Sequence, residues 1–207
     1  MGIDVIDYVF LTHIHTDHAG GLARLLSAYP QAMVVCLDQT VDHLVDSSCV
    51  MEANRRVMGV VAERYGQLLP VPREKVIPHS QWKENTIKII ETPGHAPHHL
   101  SFLHDRALFV GEAAGMYQAI PSGMEYHRPA TPPRFFFDEA LSSVEKLLEL
   151  GDFIICYAHY GMLPSSRNAL ITFKEQLLHW REIAYQVRNT NKWNDMAEFN
   201  DPDSVTS

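Results

Sequence analysis

No hydrophobic run in the chain approaches the roughly 18 residues that a membrane-spanning helix requires, so a membrane partner is not expected. The opening MGIDVIDYVF lacks the basic start and long apolar core of a signal peptide. Cysteine is scarce: Cys36, Cys49 and Cys156 are scattered, odd in number and without a CxxC pair. That excludes a disulfide framework and a thiolate metal site, and suggests free thiols in a reducing, cytoplasmic setting. Positive charge is also short, with 17 Lys and Arg against 25 acids and a net charge of -8. A nucleic-acid partner needs a basic face, so none is expected. There is no internal repeat and no linker. What the sequence does contain is 46% hydrophobic residues over 207 positions, enough for one domain with its own core, and twelve histidines, several of them clustered.

The hydrophobic pattern alternates between strand and helix. YVFL (Tyr8–Leu11) is a short apolar strand, and AGGLARLLSAYP carries apolar residues at helical spacing up to Pro30. AMVVCL (Ala32–Leu37) is a buried strand, and the span from Gln39 to Gln67 predicts two helices. TIKIIET alternates like a half-exposed strand, while HLSFLH and ALFVGE predict a hairpin turning at Asp105-Arg106. Residues Ala114–Pro133, rich in Gly, Pro, Tyr and His, predict a long loop that walls a site. FDEALSSVEKLLEL is an amphipathic helix, DFIICYAH a buried strand, and SRNALITFKEQLLHWREIAYQVRN a long helix whose Trp180 is most simply core. Domain boundaries follow: residues 1–190 form one unit, and 191–207 a polar tail.

The stretch FLTHIHTDHAGG places His13, His15, Asp17 and His18 within six positions, directly after an apolar strand. Residues i and i+2 leaving a strand point to the same side, so His13 and His15 can share one metal. Asp17 and His18 follow at the mouth of the next helix, over the same edge. A mixed imidazole and carboxylate set without thiolates suits zinc, iron or manganese. The construction recurs downstream: His95 follows a strand on a Pro-Gly turn, Glu112 ends another strand, and His159 ends a third. Each strand delivers one ligand-type side chain at its C-terminal edge, where α/β folds build sites. His98 and His99 stand beside a ligand, where orienting hydrogen bonds and simple packing compete. His43, His79, His104 and His179 are expected at the surface or in packing. Tyr117, Tyr126, His127, Arg128 and Tyr160 are candidates for pocket walls, and Arg128 or Arg134 would suit a carboxylate-bearing substrate.

Taken in order, His13-x-His15-x-Asp17-His18, His95 in TPGHAPHH, Glu112 in VGEAAG and His159 in AHYG resemble the signature of the metallo-β-lactamase-fold hydrolase superfamily. The resemblance implies an αββα sandwich within the α/β class and a binuclear centre, most simply two zinc ions. One ion would take His13, His15 and His95, and the other Asp17, His18 and His159, with an acidic residue bridging them. It implies a metal-bound hydroxide acting on a small ester, thioester or lactone, with Asp17 as ligand and proton carrier. The TPGH segment and the His at the fourth position past His95 resemble the glyoxalase II-type branch. Two features depart from the family pattern. Its bridging Asp is Glu112 here, and the HxHxDH loop begins at residue 13 instead of after several strands. The second departure leads us to expect an N-terminally truncated sandwich, with an exposed sheet edge through which a homodimer can form. The other readings are a mononuclear iron enzyme of persulfide dioxygenase type and a catalytically inactive binding module.

Overall fold

Buried β-branched residues set the first sheet. The computed structural model describes residues 3–121 and 125–189. Strands β1 (Tyr8–Phe10), β2 (Met33–Cys36) and β3 (Val76–Pro78) pair in parallel in the order β1-β2-β3, with Val34 opposite both Val9 and Val76. On one face lie α1 (Thr16–Ala19), α2 (Leu22–Ala28) and α3 (Val41–Val45), whose Leu22, Leu26, Val41 and Leu44 join Val34 and Val76 in a single apolar cluster. Helix α4 (Ser48–Met58) follows and buries no residue of its own.

The second sheet is built from β4 (Lys88–Glu91), β5 (Leu100–His104), β6 (Ala107–Gly111) and, after a hairpin of β7 (Met116–Ala119) and β8 (Glu125–Arg128), β9 (Ile154–Tyr157) and β10 (Met162–Leu163). Its order is β10-β9-β6-β5-β4. Helices α5 (Phe137–Glu149) and α6 (Ser166–Asn189) pack Val144, Leu147, Leu170, Phe173 and Leu177 against Leu108, Val110 and Ile155. The two sheets meet through Leu37, Leu100 and Phe102, with Phe10, Ile87 and Ile89 at the margin. Phe10 and Phe102 cross at 5.4 Å, with rings inclined by 64°. Helices on one sheet, two sheets face to face and helices on the other give the expected αββα sandwich.

Strand direction explains where the candidate ligands gather. β5 runs antiparallel to both β4 and β6, and β6 runs parallel to β9. The C-terminal ends of β4, β6 and β9 therefore lie along one edge, and the turns after them carry His95, Glu112 and His159. Leu100 N–H donates to Thr12 C=O at 2.7 Å, tying the loop after β1 to that same edge.

Several expectations change. The segment Ala114–Pro133 is not all loop, because β7 and β8 pair with Tyr117 opposite His127, their rings 5.0 Å apart. The Gln176 side-chain amide donates to the His127 carbonyl at 3.0 Å and pins this hairpin to α6. Gly- and Pro-rich composition hid two short strands. β3 and β10 were also missed, since three and two residues are too few to show a period. The Gln39–Gln67 span does contain two helices, joined at either end to 3-10 turns. Trp180 is 42% exposed and is not core, as α6 buries its first half and leaves its second half in solvent. The polar tail 191–207 lies outside the described residues. Among the described residues no helix is long and apolar enough to cross a membrane.

Candidate metal centre

His13 is 1% exposed, and its ring is held from behind. The Thr12 Oγ1 lies 3.0 Å from its Nδ1, leaving Nε2 to face the site. His95 is fixed in the same way, for its Nδ1–H donates to the Ala130 carbonyl at 2.9 Å. A ring nitrogen that donates backwards leaves the other as a free lone pair, the arrangement metal-binding imidazoles use. The Pro-Gly turn before His95 rests on α5, where Ser143 Oγ donates to Pro93 C=O at 2.7 Å. Gly94, at φ +149, could carry no side chain, since a Cβ would sit 2.6 Å from the Ala140 Cα.

Three nitrogens then converge. His13 Nε2 is 2.9 Å and His95 Nε2 is 3.1 Å from His15 Nδ1. Ligands at about 2.0–2.1 Å around a tetrahedral ion stand about 3.3 Å apart, so a small expansion would admit one. Burial pushes His13 well below the ordinary imidazole range and His15 down to about 4, with His95 adding to the effect on His15. Neutral imidazoles with lone pairs facing one another make up a nitrogen site for a cation.

A second group stands beside the first. Asp17 Oδ2 lies 3.4 Å from His18 Nε2 and 3.6 Å from His159 Nε2. Between the groups is Glu112, 3% exposed. Its Oε1 is 2.8 Å from His18 Nε2 and 3.1 Å from His159 Nε2. Its Oε2 faces His13 Nδ1 at 3.6 Å and His99 Nε2 at 3.5 Å. The extra methylene of Glu over Asp thus sends one oxygen to the second group and the other behind His13. Burial opposes ionisation of Glu112, but the hydrogen bond from His18 and the neighbouring His13 outweigh it and hold the carboxyl below its usual range. Burial likewise opposes a charge on His18, yet its bonds to Asp17 and Glu112 raise it to about 9. Two carboxylates converge on His18 and His159 there, a place where a cation would balance charge, and the donor set fits a metal on that count too.

All seven sequence-derived ligand candidates come together. His13, His15 and His95 form one close group and Asp17, His18 and His159 another, with Glu112 within reach of His13, His18 and His159. Sequence reasoning left His98 and His99 undecided, and the structure separates them. His99 is buried in a hydrogen-bond chain with Thr92 and Ser101, whereas His98 Nε2 has no partner and its ring packs 6.0 Å from that of His15. Thr12 and the Ala130 carbonyl were missed, having no signal beyond adjacency to a ligand in one case and none in the other. Of the wall candidates, Tyr117, Tyr126, Arg128 and Tyr160 enclose a separate cavity of about 200 Å³. A larger cleft of about 460 Å³ opens onto the first group, lined by His15, Asp17 and His95 at its head and by Arg134 at its wall.

Comparison with known proteins agrees with this geometry. The family described as the metallo-beta-lactamase superfamily matches residues 1–159. A metallo-beta-lactamase fold-containing protein of Sulfurisphaera tokodaii is 31% identical over 194 residues, covering 89% of this chain and 71% of that protein. A hydroxyacylglutathione hydrolase of Cupriavidus taiwanensis is 27% identical over 192 residues, and the chain spans 62% of its length. Among solved structures, an archaeal superfamily protein from Sulfolobus tokodaii superposes with a TM-score of 0.73 at 30% identity, covering 85% of this chain and 69% of that one. A metallo-beta-lactamase family protein from Thermus thermophilus shares the fold at 18% identity and a TM-score of 0.59, over 90% of this chain and 64% of the other. With two histidine-rich ligand groups at the strand ends of an αββα sandwich, the chain belongs to the metallo-beta-lactamase superfamily.

Proposed function

We propose that the chain is a binuclear metal-dependent hydrolase, most simply with two zinc ions, acting on a small ester, thioester or lactone. The observation that carries this reading is the pair of ligand groups flanking buried Glu112 at the head of an open cleft. Metal ions held by these groups would supply an activated water and polarise the acyl oxygen of a substrate. The protein's own side chains do the rest. Thr12 and the Ala130 carbonyl fix the orientation of His13 and His95. Asp17 lines the cleft and is held ionised chiefly by its hydrogen bond to His18, so it can take a proton and pass it to the departing atom. Likeness to hydroxyacylglutathione hydrolases at 27% identity supports a thioester within this range.

The test is a panel of thioesters, esters and lactones assayed with the full chain reconstituted in turn with zinc, iron and manganese. Hydrolysis that follows metal content and is lost in His15→Ala supports the reading. Oxygen uptake with a persulfide, or no turnover with any metal, would replace it.

A further inference from the structure

Helix α4 presents a puzzle that the metal centre does not explain. It buries none of its residues, and its apolar side chains continue into a 3-10 turn (Gly59–Tyr65). Val57 is 61% and Tyr65 53% exposed. Isolated apolar residues at a surface need no account, but a run of them on one element does. These side chains share a destination: Val57, Met58 and Tyr65 line the cleft that begins at His15 and His95, together with Pro97 and Phe136. Asn54 of α4 hydrogen-bonds to the Thr16 hydroxyl, between ligands His15 and Asp17, so this wall is held in register with the metal-binding loop.

The cleft also holds a cation. Arg134 lines it and is exposed, and its guanidinium lies 5.9 Å from the centroid of the Phe136 ring. Among the described residues no carboxylate pairs with it. A guanidinium at the outer limit of cation–π distance from an aromatic ring, with no carboxylate beside it, keeps its donors free for a planar anion. At about 460 Å³ the space is within the usual range for a small-molecule site.

We infer that this cleft is a substrate subsite for an apolar, medium-length acyl chain carrying an anionic group, with the chain between Val57, Met58 and Phe136 and the anion on Arg134. This deepens the hydrolase reading above and rests on it for the reaction, though not for the binding. The apolar body excludes water from the approach to His15 and His95, and Arg134 selects among acyl compounds that the metal centre alone would treat alike.

Acetate, octanoate and 1-octanol serve as probes, titrated by calorimetry into the zinc-loaded full chain. Octanoate should bind about tenfold or more tightly than either of the other two. In Arg134→Gln the advantage over 1-octanol should collapse, and in Met58→Asp the advantage over acetate. Both positions are partly or fully solvent-facing, so neither variant threatens folding. An octanoate advantage over 1-octanol that persists in Arg134→Gln would place the anion elsewhere and overturn the inference. So would equal binding of acetate and octanoate. If octanoate binds as described while no member of the ester, thioester and lactone panel, a monoester of octanedioate included, is turned over with any metal, the hydrolase reading fails and the subsite stands. If acetyl and octanoyl esters are hydrolysed equally, with their ratio unmoved in Met58→Asp, the hydrolase reading stands and the subsite falls.

Discussion

The backbone N–H of Glu112 donates to Nε2 of His99 at 3.2 Å. A nitrogen that accepts is unprotonated, so the ring proton is on Nδ1, where it reaches the Thr92 Oγ1 at 2.9 Å. Thr92 in turn meets Ser101 Oγ at 2.9 Å, and that hydroxyl donates to the Val110 carbonyl at 3.3 Å. Burial pushes His99 below the ordinary imidazole range, in agreement with a neutral ring. His99 therefore holds the segment that carries Glu112; it stands outside the group of His13, His15 and His95 and that of Asp17, His18 and His159, and forms a third, fully buried group with His13 and Glu112. Gly111, at φ +56, makes room for it, since a Cβ there would lie 2.4 Å from His99 Nε2.

Removing that ring should be costly. His99→Ala leaves the buried Glu112 N–H unpaired, takes one of its two partners from the Thr92 hydroxyl and opens a cavity, a loss of about 2–4 kcal/mol. Urea denaturation of the metal-free protein checks it. A loss under about 1 kcal/mol would mean that Glu112 is positioned by other contacts.

The two ligand groups should empty separately. His13→Ala or His95→Ala should lower metal content at the first site, and His18→Ala or His159→Ala at the second, each leaving about one equivalent of the two expected. Elemental analysis of protein purified without chelator reads this directly. Content unchanged in all four variants would show the ligand assignment to be wrong.

Glu112 faces both groups, so its variants should be graded. Glu112→Ala should lose the second metal, because among the described residues His18 and His159 would keep Asp17 as their only carboxylate. Glu112→Asp, with a shorter reach, should retain that metal and hold or improve turnover. Metal stoichiometry beside kcat separates the two effects. Equal occupancy in the Ala variant would remove Glu112 from the ligand set.

Away from the metals, Asp152 secures the start of α6. Its carboxylate accepts from the Arg167 N–H at 3.0 Å and from the Ser165 hydroxyl at 3.0 Å, while Ser165 Oγ accepts the Asn168 N–H at 3.2 Å. The Arg167 bond, ahead of those from Ser165 and Ser166, holds Asp152 below its usual value. A depressed carboxyl stabilises the fold above its unfolded value and loses that contribution as pH falls through the folded one. Thermal midpoints should therefore drop on acidification below about pH 4, by less in Asp152→Asn than in the parent. Ser165→Ala should cost about 1 kcal/mol at neutral pH as a lost helix cap. Parallel acid profiles for parent and Asp152→Asn would show that Asp152 plays no part.

The candidate ligands of this protein were legible in the sequence because each follows a local pattern. His13, His15, Asp17 and His18 fall within one short loop, and His95, Glu112 and His159 each follow an apolar run that ends in a turn. Strand periodicity places such side chains at strand ends, and the resemblance to a family signature joined them, so the candidate set could be named before any fold was known. The grouping depended on tertiary structure. Only the antiparallel placement of β5 between β4 and β6 brings three strand ends to one edge, and only the packing of Glu112 shows its two oxygens facing different histidines. His98 and His99 are neighbours of identical composition, and burial among Thr92, Ser101 and Glu112 makes one of them a support and leaves the other beside the site. The cleft was hidden for the same reason. Val57, Met58, Pro97, Arg134 and Phe136 come from separate segments with no common period, and their meeting is a property of the packed chain, which no local pattern encodes.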